Sequence, residues 1–281
     1  MLIFDKKQDL ITHLKSISIS KTTIGFVPTM GALHKGHLML MEQSMKNNTI
    51  TVMSIFVNPT QFNNPEDLAK YPRTLESDIE KIKIISDTII VFAPSVLNMY
   101  EGETVSKSFD FDGLENLMEG KFRPGHFNGV GTIVKLLFEI VEPTNAYFGE
   151  KDFQQLLIVR KMVEKSSLKV NVVCCPIFRE PNGLAMSSRN NRLSADERVN
   201  AAIIYKTILE AKRIFASRSA SEVTDFVEKV FKNNSQFKLE YFEIADEKTL
   251  LTCVNKTKNH NYRAFIAVFV NSIRLIDTIS L

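Results

Sequence analysis

The chain has 281 residues, 44% of them apolar and 24% charged, with a formal net charge of +3. That is long enough for one large domain or two smaller ones with a real core, and the composition is ordinary for a globular protein. No concentrated basic face is visible, which speaks against a nucleic-acid partner; the longest basic cluster, Lys161 to Lys169, is interrupted by Glu164 and suits a solvated helix end.

From the start of the chain, Leu10, Ile11 and Leu14 stand at helical spacing and predict a first helix over Asp9–Ser16. Thr22–Val27 reads as a short strand, which Pro28 breaks before Gly31 opens a turn. His34 and His37 follow, then Leu38, Met41 and Met45 at helical spacing. Strand, tight loop and helix N-terminus form the kind of corner where α/β proteins hold anions. Residues three apart project from one side of the first helical turn, and Gly36 leaves the backbone bare for a phosphate. We read this corner as a grip on the phosphates of ATP.

Thr49–Val57 is apolar and β-branched without alternation, as in a strand buried on both faces, and strand–helix–strand in close succession argues for a parallel crossover. Asn58-Pro59-Thr60-Gln61-Phe62 lies at the carboxyl end of that strand, where open α/β sheets bind ligands. Asn58 and Gln61 are thus placed to meet a substrate, although Asn-Pro also serves as a plain turn opener. Asn63–Thr74 is polar and broken by prolines, a mobile loop over the site. Leu75–Ile85 reads as a helix and Thr88–Phe92 as a third buried strand. Gly102–Gly125 is irregular, and Gly129-Val130-Gly131 leads into an apolar helix over Thr132–Val141. That glycine pair lacks the third glycine and the acidic ribose partner of a dinucleotide fingerprint. Asn145–Phe148 is a strand that runs into Gly149-Glu150-Lys151-Asp152, a second strand-to-helix corner, and Val170–Phe178 closes this part.

A domain boundary is placed near residue 176, giving domains 1–175 and 176–281. Beyond it, Arg179–Gly183 is a polar turn and Leu184–Asn190 is small and polar around Arg189. Ser194–Ala216 reads as one long helix with Ser194 and Glu197 as a capping box, and Ser219–Lys232 as another. Leu239–Ile244, Arg263–Val270 and Ile273–Ile276 read as strands, the last two a hairpin through Asn271. The expected architecture is a doubly wound parallel α/β sheet followed by a smaller C-terminal α+β domain acting as a lid. Cys174, Cys175 and Cys253 show neither a disulfide framework nor metal-ligand spacing and read as buried hydrophobes in a reducing cytosol. With no signal peptide at the N-terminus and no apolar run near membrane-span length, a cytoplasmic protein without a membrane partner is expected.

No Gly-x-x-x-x-Gly-Lys-Ser/Thr occurs, so a P-loop is excluded. His34-x-Gly36-His37 near the first strand resembles the signature of nucleotidylyltransferases and class I aminoacyl-tRNA synthetases, which pair it with a late Lys/Arg- and Ser-bearing loop; Met186-Ser187-Ser188-Arg189 has that composition. The longer motifs narrow the match. Val27 to His37, Phe56-Val57-Asn58-Pro59-x-Gln61-Phe62, Tyr71-Pro72-Arg73-Thr74, Arg123 to Phe127, Tyr147 to Leu156 and Met186 to Asn190 stand in order and together resemble the pantothenate synthetase family, the pantoate–β-alanine ligases.

The resemblance implies a Rossmann-like first domain and ATP-dependent condensation of (R)-pantoate with β-alanine through a pantoyl adenylate, with Mg²⁺ as cofactor and a homodimer as the assembly. It implies ATP contacts from Met30, Gly31, Ala32, Leu33, His34, Lys35, Gly36 and His37, from Gly149, Glu150, Lys151 and Asp152, and from Phe178, Met186, Ser187, Ser188 and Arg189. His37 is implied as the catalytic residue, with His34, Lys151 and Arg189 adding positive charge; Gln61 and Gln155 as pantoate ligands, Gln61 also beside β-alanine; and Asn58 and Arg123 in the site wall. The protein ligands of Mg²⁺ are not legible. Phe178 departs from the family's usual Val, and Asn128 stands where Arg is more frequent. The rival readings are another adenylyltransferase, acting on a nucleotide or phosphopantetheine, a degenerate nucleotide-binding module and an RNA-charging enzyme. The paired glutamines, the intact His34, His37, Lys151 and Arg189, and the lack of an anticodon-binding domain argue against these in turn.

Overall fold

A computed structural model describes residues 1–281, which divide into two compact units: Met1–Gly149 with Gln154–Cys175, and Glu150–Phe153 with Pro176–Leu281. A single boundary near residue 176 therefore leaves out one exchange, since Glu150–Phe153 of the second strand-to-helix corner group with the second unit.

In the first unit the chain runs β1 (Ile3–Phe4), α1 (Lys7–Ile17), β2 (Ile24–Thr29), α2 (Lys35–Asn47), β3 (Ile50–Ile55), α3 (Pro65–Lys70), α4 (Leu75–Ile85), β4 (Ile90–Phe92) and α5 (Val96–Tyr100). It continues through α6 (Met118–Phe122), α7 (His126–Val141), β5 (Asn145–Gly149), α8 (Phe153–Lys165) and β6 (Asn171–Cys175). The six strands lie in the order β1-β4-β3-β2-β5-β6, every pair parallel. This is the doubly wound sheet expected. Both faces are covered, which explains the lack of alternation in the strands. Phe26 packs edge-on to Phe138 of α7, with ring centroids 6.2 Å apart. The next residue, Val27, joins Met53 and Val91 on the opposite face under Leu40 and Met41 of α2 and Ile82 of α4.

Helix α2 sits so close to β2 that a Cβ on Gly25 would fall 2.1 Å from Ser44 Oγ and 2.5 Å from Asn48 Nδ2. Polar groups fill that contact. Asn48 Nδ2 donates to the Tyr147 hydroxyl (2.8 Å), its Oδ1 accepts from Asn145 Nδ2 (2.8 Å), and Asn145 Oδ1 accepts from Asn171 Nδ2 (2.8 Å). The ladder ties the amino ends of β5 and β6 to the end of α2.

Several elements differ from the sequence expectation for local reasons. Within Asn63–Thr74 the helix α3 forms, because Pro65 opens it and Asn64 accepts from Glu66 N–H at 2.8 Å. Helix α7 starts at His126 rather than Thr132, turned in by Gly125 at φ +80°. Gly129 and Gly131 lie inside it because the helix passes close to the Thr60–Gln61 backbone and to Phe109 and Phe111. The short β1 and α5 were beyond the reach of periodicity.

In the second unit the helix expected over Ser194–Ala216 is two, α9 (Ala195–Asn200) and α10 (Ala202–Phe215), which break at Ala201; the Ser194–Glu197 capping box is present. Helix α11 (Ala220–Lys232) and the strands β7 (Phe237–Asp246), β8 (Tyr262–Val270) and β9 (Ile273–Ser280) complete the unit as an antiparallel sheet ordered β7-β8-β9. Its core joins Ile204, Ile208, Val223 and Val227 of the helices to Ile244, Ile266 and Val268 of the sheet. All three cysteines are free thiols, and burial pushes Cys175 up to about 11, so it stays a neutral core group. No helix is long and apolar enough to cross a membrane.

Asp246 ends β7 and organises the turn after it. Burial pushes its carboxyl up, but donors from Thr249, His260 and Lys248 overrule this and hold it at about 2. A carboxyl depressed below its unfolded value near 3.9 stabilises the fold above that pH and loses the contribution as pH falls through the folded value. Between about pH 4 and pH 2, unfolding free energy is expected to drop by about 2 kcal/mol from this group. Acid titration of urea unfolding checks it: Asp246→Asn should flatten that part of the profile, and an identical profile would exclude the assignment.

Candidate active site

Strand order reverses between β2 and β5, since the chain moves from β2 toward β3 and β4 on one side and from β5 toward β6 on the other. In an open parallel sheet the crevice at the carboxyl ends beside such a reversal is the natural ligand site. Three motif-bearing loops leave that edge: Met30–His34 after β2, Phe56–Phe62 after β3 and Glu150–Asp152 after β5.

The first corner is built around backbone that turns left-handed twice, at Gly31 (φ +80°) and Ala32 (φ +48°). Thr29 Oγ1 donates to Ser54 O at 2.7 Å and accepts from Gly31 N–H, which joins the corner to β3. His34 is the N-cap of α2 in extended conformation, and its ring stacks on that of His37 with centroids 3.9 Å apart. The His34 N–H donates to His37 Nδ1 at 3.3 Å. With Nδ1 as acceptor, the neutral His37 ring carries its proton on Nε2 and offers it as a donor. Both imidazoles thus share the first turn of α2, as the spacing predicts.

Gln61 and Asn58 form a second group in the same unit. Asn58, 1% exposed, donates from Nδ2 to Gln61 Oε1 and to Gly129 O, both at 3.1 Å. Its Oδ1 accepts from the Tyr100 hydroxyl at 2.5 Å and from Thr60 Oγ1 at 3.1 Å. Burial holds the Tyr100 phenol above its ordinary value, against the pull of Thr60, so it remains a donor. Because Asn58 occupies Gln61 Oε1, the Gln61 Nε2 points to Met30 Sδ at 3.2 Å, a weak acceptor. Arg123 Nη1 lies 3.2 Å from His126 Nε2 and His126 Nδ1 lies 2.8 Å from Gln61 O; as arginine only donates, the His126 proton sits on Nδ1 and secures the Gln61 carbonyl. Gln155 is half-buried on α8, while its neighbour Gln154 is buried and binds the backbone of Leu114, Leu117 and Glu119.

In the second unit Lys151 Nζ donates to Asp152 Oδ1 at 3.1 Å. Glu150 is held by Arg263 at 2.6 Å, and that guanidinium also binds Glu247 and stacks on Phe153 at 4.1 Å. Phe178 O accepts from Met186 N–H at 3.0 Å, Arg179 bridges to Ala185, and the Ser187 hydroxyl caps Arg189 N–H. Asn190 Nδ2 donates to Glu180 Oε1 at 2.8 Å, and Glu180 is clasped by Arg198. The Met186–Arg189 loop is therefore pinned at both ends within its unit.

The family model for pantoate-beta-alanine ligase matches residues 2–280. The chain belongs to the pantoate–β-alanine ligase family. Among relatives of this ligase family, the pantothenate synthetase of Flavobacterium psychrophilum is 67% identical over 281 residues, all of both chains, and that of Christiangramia forsetii is 53% identical over 100% of this chain and 99% of its own. The crystal structure of pantothenate synthetase from Thermus thermophilus superposes with a TM-score of 0.89 at 38% identity, covering 99% of each chain. A Francisella tularensis pantoate–β-alanine ligase, solved with β-γ ATP and β-alanine, gives a TM-score of 0.79 at 34% identity over 100% of this chain and 97% of its own.

Residue reading missed Tyr100 and Thr60, which complete the Asn58 network, because their partners lie on separate elements. Gly129, expected just ahead of the helix, lies inside α7 against the Thr60–Gln61 backbone. A Cβ there would lie 2.3 Å from Thr60 O and 2.6 Å from Gln61 N. Gly129→Ala is expected to cost about 1–3 kcal/mol, whereas Gly149→Ala meets nothing within 4 Å and should leave stability unchanged. Urea denaturation of the two variants checks this; equal stabilities would refute the close approach.

Proposed function

We propose that this pantoate–β-alanine ligase works in two steps, each carried by residues named above. Pantoate's carboxylate attacks the α-phosphorus of ATP, and pyrophosphate leaves with the electrons of the broken P–O bond. The amine of β-alanine then attacks the acyl carbonyl of pantoyl adenylate, forming the amide and releasing AMP. The observation that carries this reading is the histidine corner, where two stacked imidazoles stand at a helix N-terminus at the strand-order reversal, with His37 Nδ1 accepting from His34 N–H.

A carboxylate is already ionised at neutral pH, so adenylation requires placement and charge neutralisation rather than a base. His37 is the catalytic residue in this reading, its Nε2–H meeting charge that develops on the transferred phosphoryl oxygens. His34, Lys151 and Arg189 add positive field toward the phosphates. Met30 to His37, Gly149 to Asp152, Phe178 and Met186 to Arg189 form the ATP contacts. Gln61, its Oε1 occupied by Asn58, donates from Nε2 to a pantoate oxygen that displaces the Met30 sulfur. Gln155 serves pantoate as well, and Gln61 also borders β-alanine. Mg²⁺ accompanying ATP would supply further charge neutralisation at the phosphates. A homodimer in the cytoplasm completes the proposal, and sedimentation tests the dimer.

Pantoate and ATP without β-alanine are expected to support ATP–pyrophosphate exchange; absence of exchange would remove the adenylate. His37→Ala should lower that exchange by about 10²-fold or more while unfolding free energy stays within about 1 kcal/mol of the parent. Undiminished exchange in His37→Ala would show that another group performs its role.

A further inference from the structure

The histidine corner is gripped from behind by a face of α4 that takes no part in the steps above. Asp78 is completely buried, 0% exposed, in a helix whose neighbouring inward residue is Ile82. Its Oδ2 accepts from Ala32 N–H at 2.8 Å and its Oδ1 from Leu33 N–H at 2.7 Å. Thr74 Oγ1 donates to Oδ2 at 3.1 Å. Lys81 Nζ lies 3.8 Å from Oδ1 and donates to Leu33 O at 2.9 Å. Thr74, Asp78 and Lys81 stand at i, i+4 and i+7, so one stripe along α4 holds both N–H groups of Ala32 and Leu33 and the Leu33 carbonyl.

A buried carboxylate is costly unless its oxygens are satisfied, and an apolar side chain would pack against the sheet at less expense. What the carboxylate adds is control of backbone. Ala32 sits at φ +48°, which L residues disfavour, directly after Gly31 at +80°. A Cβ on Gly31 would come within 3.1 Å of Asp78 Oδ2, so the bare glycine also makes room for the carboxylate. The left-handed pair turns the chain from β2 into α2 and places His34 at the N-cap. The N–H groups of Ala32 and Leu33 face Asp78 and serve the corner's shape.

We propose that Asp78, with Thr74 and Lys81, is the positioning group that sets the histidine corner for the triphosphate; this rests on the reading of that corner as the phosphate site. Asp78→Asn keeps the volume but turns an amide donor toward one of the two N–H groups. The variant is expected to weaken binding of a non-hydrolysable ATP analogue about tenfold or more and to slow pantoate-dependent ATP–pyrophosphate exchange by up to about 10²-fold. Thr74→Val should fall between, and Thr74→Ser, which keeps the hydroxyl, should restore parental binding and exchange. A purely structural role would lower the urea midpoint while leaving analogue affinity and exchange of the folded protein at parental values, and that result overturns the proposal. Should Asp78→Asn fail to fold, Thr74→Val and Lys81→Met decide, and parental analogue affinity in both is the overturning result. Exchange absent in the parent protein would refute the two-step reading instead, and analogue binding across the series would still test the positioning role.

Discussion

Parallel pairing of β2 between β3 and β5 is the constraint from which the rest of the first unit follows. Parallel strands need crossover helices, and crossovers on both sides bury both faces of the sheet. They also send the loops after β2, β3 and β5 out of one edge. The order reversal between β2 and β5 then leaves room at that edge, which no crossover bridges. The amino edge does the opposite work. There Gly25 admits α2 against the strand, and the Asn48–Asn145–Asn171 ladder satisfies polar groups that close packing would otherwise strand.

Buried polar groups in both units are held by networks of partners drawn from separate elements. Asn58 engages both its donor and its acceptor ends and thereby orients Gln61. His126 has its tautomer set by Arg123 on one nitrogen and a carbonyl on the other. In the second unit Asp277, 4% exposed, takes a two-pronged ion pair from Arg179, whose guanidinium lies 3.7 Å from the Tyr205 ring. Glu180 links Arg198 to Asn190 in the same way. Removing one partner from such a site leaves a buried group unsatisfied, which costs more than the bond itself contributes. These networks therefore fix a single geometry for the loops they hold.

The Glu150–Phe153 segment shows how chain continuity and folding units divide differently. It follows β5 without a break, yet it groups with the second unit, where Arg263 holds Glu150 and Phe153 packs on Phe265. Lys151 and Asp152 are thus presented by a segment anchored on β8 rather than on the sheet that precedes it.

Local chemistry was enough to read the corner after β2, the cap at Ser194 and the hairpin at Asn271, because each depends on near neighbours in the chain, whereas β2 itself runs over Ile24–Thr29, through Pro28, instead of ending at Val27. The ordered motifs from Val27 to Asn190 likewise carried the family and its reaction. Helix α3 escaped because a proline that breaks one pattern opened another, and the break at Ala201 because both flanking stretches keep helical dihedrals nearby. Asp78 marks the limit most plainly. On the sequence it is one acid among several on α4, and only folding sets it against two N–H groups forty-five and forty-six residues away, as it sets Tyr100 against Asn58. Residue type and spacing thus determined which chemistry the chain carries; the partners that hold each of these side chains in place were decided by tertiary structure, since a hydrogen bond depends on distance in space and not along the chain.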